Sequence, residues 1–187
     1  AVLFVSPIII VFINSFKTKF NIISEPFSLP NSKTFAGADN YANGINYSGI
    51  LPAFFRSLFI TVFAVVVLII CTSIAAWYIT RVKSKFTKLV YYLFVFSMIV
   101  PFQMVMFSMT FTVTSLKLNN LIGIIFVYLG FGAGLSVFMM SGFVKSIPHE
   151  IEEAAMIDGC SPLQTFFMIV FPILKPTAIT VSILNAM

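Results

Sequence analysis

Charged residues are scarce in this chain. Only 9% of its 187 residues are charged, and six of these are acidic, whereas charged residues make up roughly 25% of soluble globular domains. Hydrophobic residues account for 59% of the sequence, and the mean hydropathy is +1.04. A water-soluble fold with so few charges would lack a polar surface. The composition therefore excludes that class and predicts a membrane protein.

Residues that usually carry catalysis or bind metals are also few. The single histidine, His149, and the two cysteines, Cys71 and Cys160, have no spacing typical of a metal site or a redox pair. The sequence contains no His-Glu-x-x-His, no Gly-x-Ser-x-Gly and no P-loop segment. We therefore expect that the chain is not an enzyme, that it binds no cofactor or metal itself, and that any energy source lies on another chain.

Long apolar runs are abundant. Residues 58–80, 89–116 and 118–144 carry no charge, and each run exceeds the ~20 residues that a helix needs to cross a bilayer. Residues 1–16 and 173–187 are apolar but shorter, and we interpret them as parts of further spans that are cut short here. The predicted fold class is an all-α, polytopic transmembrane protein, with residues 1–187 forming one domain.

The basic residues predict the orientation. Four of them fall within eight positions without an acid, as is typical of a short cytoplasmic loop; they are Arg81, Lys83, Lys85 and Lys88. A topology determinant is the simpler interpretation of this cluster, and a surface for anionic lipid or nucleic acid is the alternative. Alternation then places residues 17–57, rich in Asn and Pro, outside as loops and short helical turns. Residues 144–171 fall inside.

The run 89–116 is interrupted near its middle. Pro101 removes one backbone hydrogen bond, and Gln103 brings an amide to membrane depth, where it should face protein or water. Two roles for this amide are consistent with the sequence: it lines a pore, or it forms a hydrogen bond between helices. The next run contains glycines that favour close helix packing or local unwinding; they are Gly123, Gly130, Gly132, Gly134 and Gly142.

Residues 148–171 form an acidic elbow between two apolar runs. Ser146 is expected to cap a short acidic helix, and Gly159 is expected to end it in the left-handed conformation. Ser161 and Gln164 predict a capping box at the start of a second helix, which is apolar and should lie against the membrane ends of the spans. Interfacial helices are usually basic, so an acidic one indicates a docking surface for a soluble partner.

The elbow carries a recognisable spacing. Glu153-Ala154-Ala155 is followed after three residues by Gly159, and after nine more by Ile169-Val170-Phe171-Pro172. This pattern resembles the EAA signature of ABC importer permeases, with Phe171 in place of the family's Leu. Residues 98–103 and 142–148 look like the carbohydrate-uptake permeases of the maltose type, and the similarity extends over nearly the whole chain.

The resemblance implies a function and a set of partners. Such a chain would be a six-span permease in a prokaryotic cell membrane that moves a sugar or oligosaccharide inward by alternating access. Its partners would be ATPase subunits that bind ATP and Mg, a second and different permease subunit, and an extracytoplasmic solute-binding protein. The residues expected to couple to the ATPase are Glu152, Glu153, Ala154, Ala155, Asp158 and Gly159. The candidates for the substrate path are Phe96, Phe102, Gln103 and Tyr128.

Two alternatives are open at this stage. An ABC permease for another organic solute would share every feature named above. An ion-coupled secondary transporter is disfavoured, because it would need ionisable side chains at membrane depth and the three complete runs contain none.

Overall fold

The computed structural model describes residues 2–187, with side chains from residue 4 onward, so Ala1 lies outside the described residues. The chain divides into two compact units, one up to Ser57 and one over Leu58–Met187. Both units are built from helices. The predicted all-α, membrane-spanning fold is confirmed.

The first unit contains short helices and turns. Helices α1 (Val2–Asn14), α2 (Lys19–Ser24) and α3 (Asp39–Tyr47) precede the start of α4 at residue 50. Between them, Lys17 is fully buried, and its Nζ donates to the Glu25 carbonyl at 2.8 Å. Loops and short helices therefore extend to residue 49, as expected, whereas residues 50–57 already belong to a long helix. The extracytoplasmic location of this segment stays a prediction.

Three helical segments are long and apolar enough to cross a membrane. They are α4 (Ile50–Arg81), α7 (Leu121–Val144) and the continuous segment Pro162–Ala186. Only 28% of the most apolar window of α4 and of α7 is buried inside the chain. The remaining apolar surface is suited to lipid or to other subunits.

The run 89–116 differs from the prediction of one kinked span. It forms two helices, α5 (Lys85–Ile99) and α6 (Phe102–Ser115), which are bent by 107°. Val100 and Pro101 are extended, with ψ of 114° and 138°. A proline disfavours the helical conformation of the residue before it. The helix therefore ends before Pro101 instead of continuing with one hydrogen bond missing.

The second arm of the elbow also differs from the prediction. After α8 (His149–Ile157), helix α9 (Pro162–Thr165) runs through a π-helical turn, Phe166–Val170, into α10 (Phe171–Ala186). The arm is thus the first part of a spanning segment and not a separate helix against the membrane ends. The wider π turn precedes Pro172, whose ring would clash with the carbonyl four residues back in a regular α-helix.

The core of the second unit lies between α4, α7 and the last helical segment. Its fully buried apolar side chains include Ala76, Val137, Met140, Val144, Phe166, Val170, Leu174 and Val181. Small residues bring the helices close together. A Cβ added to Gly134 would lie 2.8 Å from the Phe94 carbonyl oxygen, and one added to Gly132 would lie 2.7 Å from Leu68 Cδ1. These two glycines therefore serve close packing.

Candidate functional site

The acidic helix α8 begins without a side-chain cap. Pro148 occupies its N-cap position, and the expected cap by Ser146 is wrong. Ser146 Oγ donates to the Phe143 carbonyl at 2.7 Å, and its backbone N–H donates to the same carbonyl at 2.9 Å. Because both groups donate to a carbonyl in the last turn of α7, Ser146 closes that helix and does not open the next one.

The turn between the two arms of the elbow follows the sequence prediction. Gly159 has a φ of +89°, and the Cys160 N–H donates to the Ala155 carbonyl at 3.0 Å, which closes the end of α8. Ser161 and Gln164 form the expected capping box. The Ser161 N–H donates to Gln164 Oε1 at 2.8 Å, and the Gln164 N–H donates to Ser161 Oγ at 3.4 Å. Local sequence thus determines the elbow's shape.

A buried carboxylate fastens α8 to the end of α4. Glu152 Oε1 accepts hydrogen bonds from Arg81 Nε at 2.8 Å and Nη2 at 2.6 Å, and Oε2 accepts one from Trp77 Nε1 at 2.9 Å. The Glu152 side chain is 2% exposed and that of Arg81 is 16% exposed. Arg81 Nη2 also donates to the Ile147 carbonyl at 2.9 Å. We call the set Trp77, Arg81 and Glu152 the latch.

The latch also reaches the spanning segment that follows the elbow. The Trp77 ring lies 5.3 Å from the Phe166 ring, centroid to centroid, and Phe166 is fully buried at the start of the π-helical turn. Both arms of the elbow therefore pack against the last turns of α4. A displacement of α8 would be transmitted to α4 through a mostly buried ion pair, and from α4 to the segment after the elbow through the contact between Trp77 and Phe166.

Two of the expected coupling residues are buried within the chain. The Glu152 carboxylate points inward, and Ala155 is only 5% exposed; their coupling role stays a prediction. A carboxylate out of water needs a cationic partner, and Arg81 supplies it from 71 positions away. Sequence reasoning assigned Arg81 to topology alone and gave Trp77 no role. The available signal was that Trp77 and Arg81 are four residues apart at the end of a span, so that both side chains project from the same face of the helix.

The outward face of α8 carries the other predicted coupling residues. Glu153, Ala154, Asp158 and Gly159 are exposed, and the Glu153 carboxylate contacts His149 Nδ1 at 2.9 Å. Helix α8 also exposes apolar side chains that sequence reasoning did not select; they are Ile151, Met156 and Ile157. Its exposed surface thus carries both acidic and apolar side chains.

The candidates for the substrate path do not form one site. Phe96 lines a cavity of about 470 Å³ between α5, α6 and α7, and the Phe102 ring lies 5.3 Å from that of Phe131. Tyr128 lines a second cavity of about 320 Å³ together with Asn185. Phe131, which sequence reasoning missed, borders both cavities.

Gln103 is not among the residues that line these two cavities. It is exposed in the first turn of α6, next to the helix break. Within residues 2–187, no three His, Cys, Asp or Glu side chains come together as a set of metal ligands.

A family model matches residues 68–187. This range includes the latch, the elbow and helix α7, which lines both cavities. The family is described as the binding-protein-dependent transport system inner membrane component. The match covers well over half of the chain.

Full-length similarity extends to individual sugar permeases. The chain is 37% identical over 187 residues to the "Probable starch degradation products transport system permease protein AmyC" of Thermoanaerobacterium thermosulfurigenes, covering 100% of this chain and 67% of that protein. It is 34% identical over 189 residues to the "Multiple sugar-binding transport system permease protein MsmG" of Streptococcus mutans, with coverage of 100% and 67%. The "Diacetylchitobiose uptake system permease protein NgcG" of Streptomyces coelicolor is 29% identical, with coverage of 99% and 61%.

The fold matches a solved transporter. A chain in the "Crystal structure of a bacterial ABC transporter involved in the import of the acidic polysaccharide alginate" superposes with a TM-score of 0.82 at 24% identity. The match covers 99% of this chain and 64% of that one. This chain thus spans about two thirds of the length of the proteins it matches. It belongs to the family of binding-protein-dependent transport system inner membrane components, which are multi-pass membrane permeases and not enzymes. The family agrees with the resemblance that the EAA spacing indicated.

Proposed function

We propose that this chain carries a sugar or oligosaccharide inward across the cell membrane, by alternating access, as one permease subunit of an ATP-driven importer. The names of AmyC, MsmG and NgcG, which refer to starch products, multiple sugars and diacetylchitobiose, support a carbohydrate substrate. Because those sugars differ from one another, the class of substrate is proposed here and not a particular sugar.

The proposal includes the partner proteins that would complete the transporter. ATP and Mg would be bound by separate ATPase subunits, a second and different permease would form the other half of the pore, and a solute-binding protein would deliver the sugar outside. The family description, which refers to binding-protein-dependent transport, supports the general arrangement. The exposed face of α8, with Glu153, Ala154, Asp158 and Gly159, is the proposed docking surface for the ATPase.

The observation that carries the coupling mechanism is the latch. When ATP binding closes the ATPase subunits, α8 moves with the docked surface. The buried Arg81–Glu152 pair and the contact between Trp77 and Phe166 then pass this movement to α4 and to the segment Pro162–Ala186. Rigid, packed elements joined in this way can switch a pore between two arrangements.

The cavities around Phe131 are the proposed start of the substrate path. Aromatic rings offer flat apolar faces against which a sugar ring can pack, and the neighbouring Tyr128 hydroxyl and Asn185 amide can bond to its hydroxyls. Phe96 and Phe102 extend this aromatic surface toward the helix break. Gln103 would contact the sugar only after the pore has opened beside α6.

The decisive experiment is ATPase stimulation in the reconstituted complex. The full transporter, with its ATPase, partner permease and solute-binding protein in proteoliposomes, is tested with maltooligosaccharides, raffinose, diacetylchitobiose and amino acids. We expect hydrolysis to rise with at least one sugar and not with amino acids. Stimulation by a non-sugar solute alone would support the alternative substrate class. Uptake that follows an ion gradient without ATP would overturn the ABC mechanism itself.

A further inference from the structure

A basic crevice lies where three helices end or begin. It has a volume of about 540 Å³ and is formed by the last residues of α4, the loop 82–84, the first turns of α5 and the end of α7. Every charged side chain in its described lining is a lysine; these are Lys83, Lys85, Lys88 and Lys145. Four positive charges around one cavity predict an anionic ligand.

Two hydroxyl groups at the crevice have unsatisfied hydrogen-bonding capacity. Thr80 Oγ1 and Ser141 Oγ both belong to side chains that line it. Each oxygen is buried and has no hydrogen-bond partner among the residues that the structure describes. Ser141 itself is only 1% exposed. Since a buried hydroxyl without a partner is destabilising, a ligand oxygen that accepts from Ser141 would remove that cost.

One wall of the crevice is apolar and aromatic, formed by Ile79, Val82, Tyr91 and Tyr92. Lys145 Nζ lies 5.4 Å from the centre of the Tyr91 ring. The lining is completed by Ser84 and Thr87, whose side chains form the capping box of α5. Tyrosines with lysines at the ends of spanning helices are typical of the boundary between lipid and water. The crevice thus offers cations and hydroxyls beside an apolar wall, which matches a phosphate group attached to a hydrocarbon chain.

We propose that this crevice binds the phosphate headgroup of an anionic phospholipid. The ligand chemistry is that of a phosphate ester, which soluble metabolites also contain, but the apolar wall and the position at the helix ends favour the lipid. The ammonium groups bind the phosphate oxygens, Ser141 donates to one of them, and Tyr91 and Tyr92 pack beside the glycerol and upper acyl chain. The inference depends on the multi-pass membrane location and not on the proposed sugar or on the latch.

The test uses native mass spectrometry of the assembled transporter with added phosphatidylglycerol or phosphatidylcholine. We expect tighter retention of phosphatidylglycerol, and a loss of more than tenfold in its affinity in Lys83→Gln/Lys88→Gln/Lys145→Gln, because each basic group near an anionic headgroup contributes about fivefold. The matched control is Lys19→Gln/Lys33→Gln/Lys117→Gln, which removes three exposed lysines elsewhere and should retain the lipid. The triple Lys→Arg variant at 83, 88 and 145 should also retain it.

A single substitution distinguishes binding in the crevice from a general attraction of anionic lipid to positive charge. Ser141→Ala should weaken phosphatidylglycerol retention a few-fold while leaving every charge in place, and it keeps the test open if the triple Gln variant does not assemble. Equal retention in wild type and in both crevice variants would overturn the proposal. In a parallel arm, glycerol phosphate is titrated. Binding of this soluble ester with the same dependence on Lys83, Lys88 and Lys145, without preferential retention of phosphatidylglycerol, would also overturn the lipid assignment.

Discussion

Arg81 Nη2 lies 2.6 Å from Glu152 Oε1, although the two residues are 71 positions apart in the sequence. The pair joins the end of a spanning helix to the helix that displays the proposed docking face. Trp77 binds the second carboxylate oxygen, so the carboxylate is held by two side chains from the same face of α4. This arrangement fastens α8 to the end of α4.

Removal of the latch carboxylate should both destabilise and uncouple the transporter. Glu152→Ala leaves the Arg81 guanidinium, 16% exposed, without its partner, and we expect a loss of about 3–5 kcal/mol in the free energy of unfolding. Uptake per ATP hydrolysed should fall as well. The measurements are thermal unfolding of the purified complex and the ratio of transport to hydrolysis in proteoliposomes.

The control for this change lies on the same helix. Glu150→Ala removes an exposed carboxylate and should change stability by less than about 0.5 kcal/mol. In the double variant Arg81→Met/Glu152→Leu, apolar side chains replace both charges, and stability should largely recover. A Glu152→Ala transporter with unchanged coupling would show that the latch is not the route between α8 and α4.

The elbow turn should not tolerate a β-branched residue. Gly159 has a φ of +89°, where Val would be strained by on the order of 1–3 kcal/mol. Gly159→Val should weaken co-purification of the ATPase and lower uptake, while the amount of permease in the membrane stays normal. Gly159→Asn is the milder companion, because Asn accepts positive φ more readily. Normal ATPase docking and normal uptake in the Val variant would show that the elbow is only a surface loop.

The close approach of α5 and α7 should be sensitive to one methyl group. A Cβ at Gly134 would lie 2.8 Å from the Phe94 carbonyl oxygen, a backbone atom that cannot rotate away. We expect Gly134→Ala to lower stability by about 1–3 kcal/mol, measured as a lower unfolding temperature in detergent. Gly130→Ala is the matched control in the same helix, since within the described residues nothing lies within 4 Å of its added Cβ. Equal effects of the two substitutions would contradict the packing role.

The amide beside the helix break should affect transport more than assembly. Gln103 is exposed at the start of α6, and an amide at membrane depth is costly unless it meets a polar group. Gln103→Leu should reduce substrate uptake while basal ATP hydrolysis and complex yield persist. Met104→Leu, at the exposed neighbouring position, is the control. A complex that falls apart while each remaining transporter works normally would identify Gln103 as an interhelical contact.

The orientation of the elbow can be tested with its own thiol. Cys160 is half-buried at the turn after α8, and the basic loop predicts that this end of the helices faces the cytoplasm. In a Cys71→Ser background, an impermeant maleimide should react with Cys160 in inverted vesicles and leave it unmodified in intact cells. Labelling from the external medium would reverse the assignment of inside and outside.

Several features were predictable because they depend on neighbouring residues. The uncharged runs 58–80 and 118–144 predicted the spans within α4 and α7, since a bilayer requires about 20 apolar residues in a row. Gly159 and the Ser161–Gln164 capping box predicted the elbow turn from local hydrogen-bonding chemistry. The spacing from Glu153 to Pro172 predicted the permease family.

Other features depend on which helices pack together, and no local pattern contains that information. Pro101 predicted an interruption, but the 107° bend arises from how α5 packs against α7 and how α6 turns away. Glu152 belongs by sequence to the acidic docking helix, yet tertiary packing turns its carboxylate inward, because a carboxylate out of water must lie beside a cation. In the same way, Lys145 joins Lys83, Lys85 and Lys88 at one crevice only because α7 ends beside the start of α5. Sequence determined the spans and the turns of this protein, whereas the tertiary structure decided which side chains from distant parts of the chain lie together, as Arg81 and Glu152 do across 71 positions.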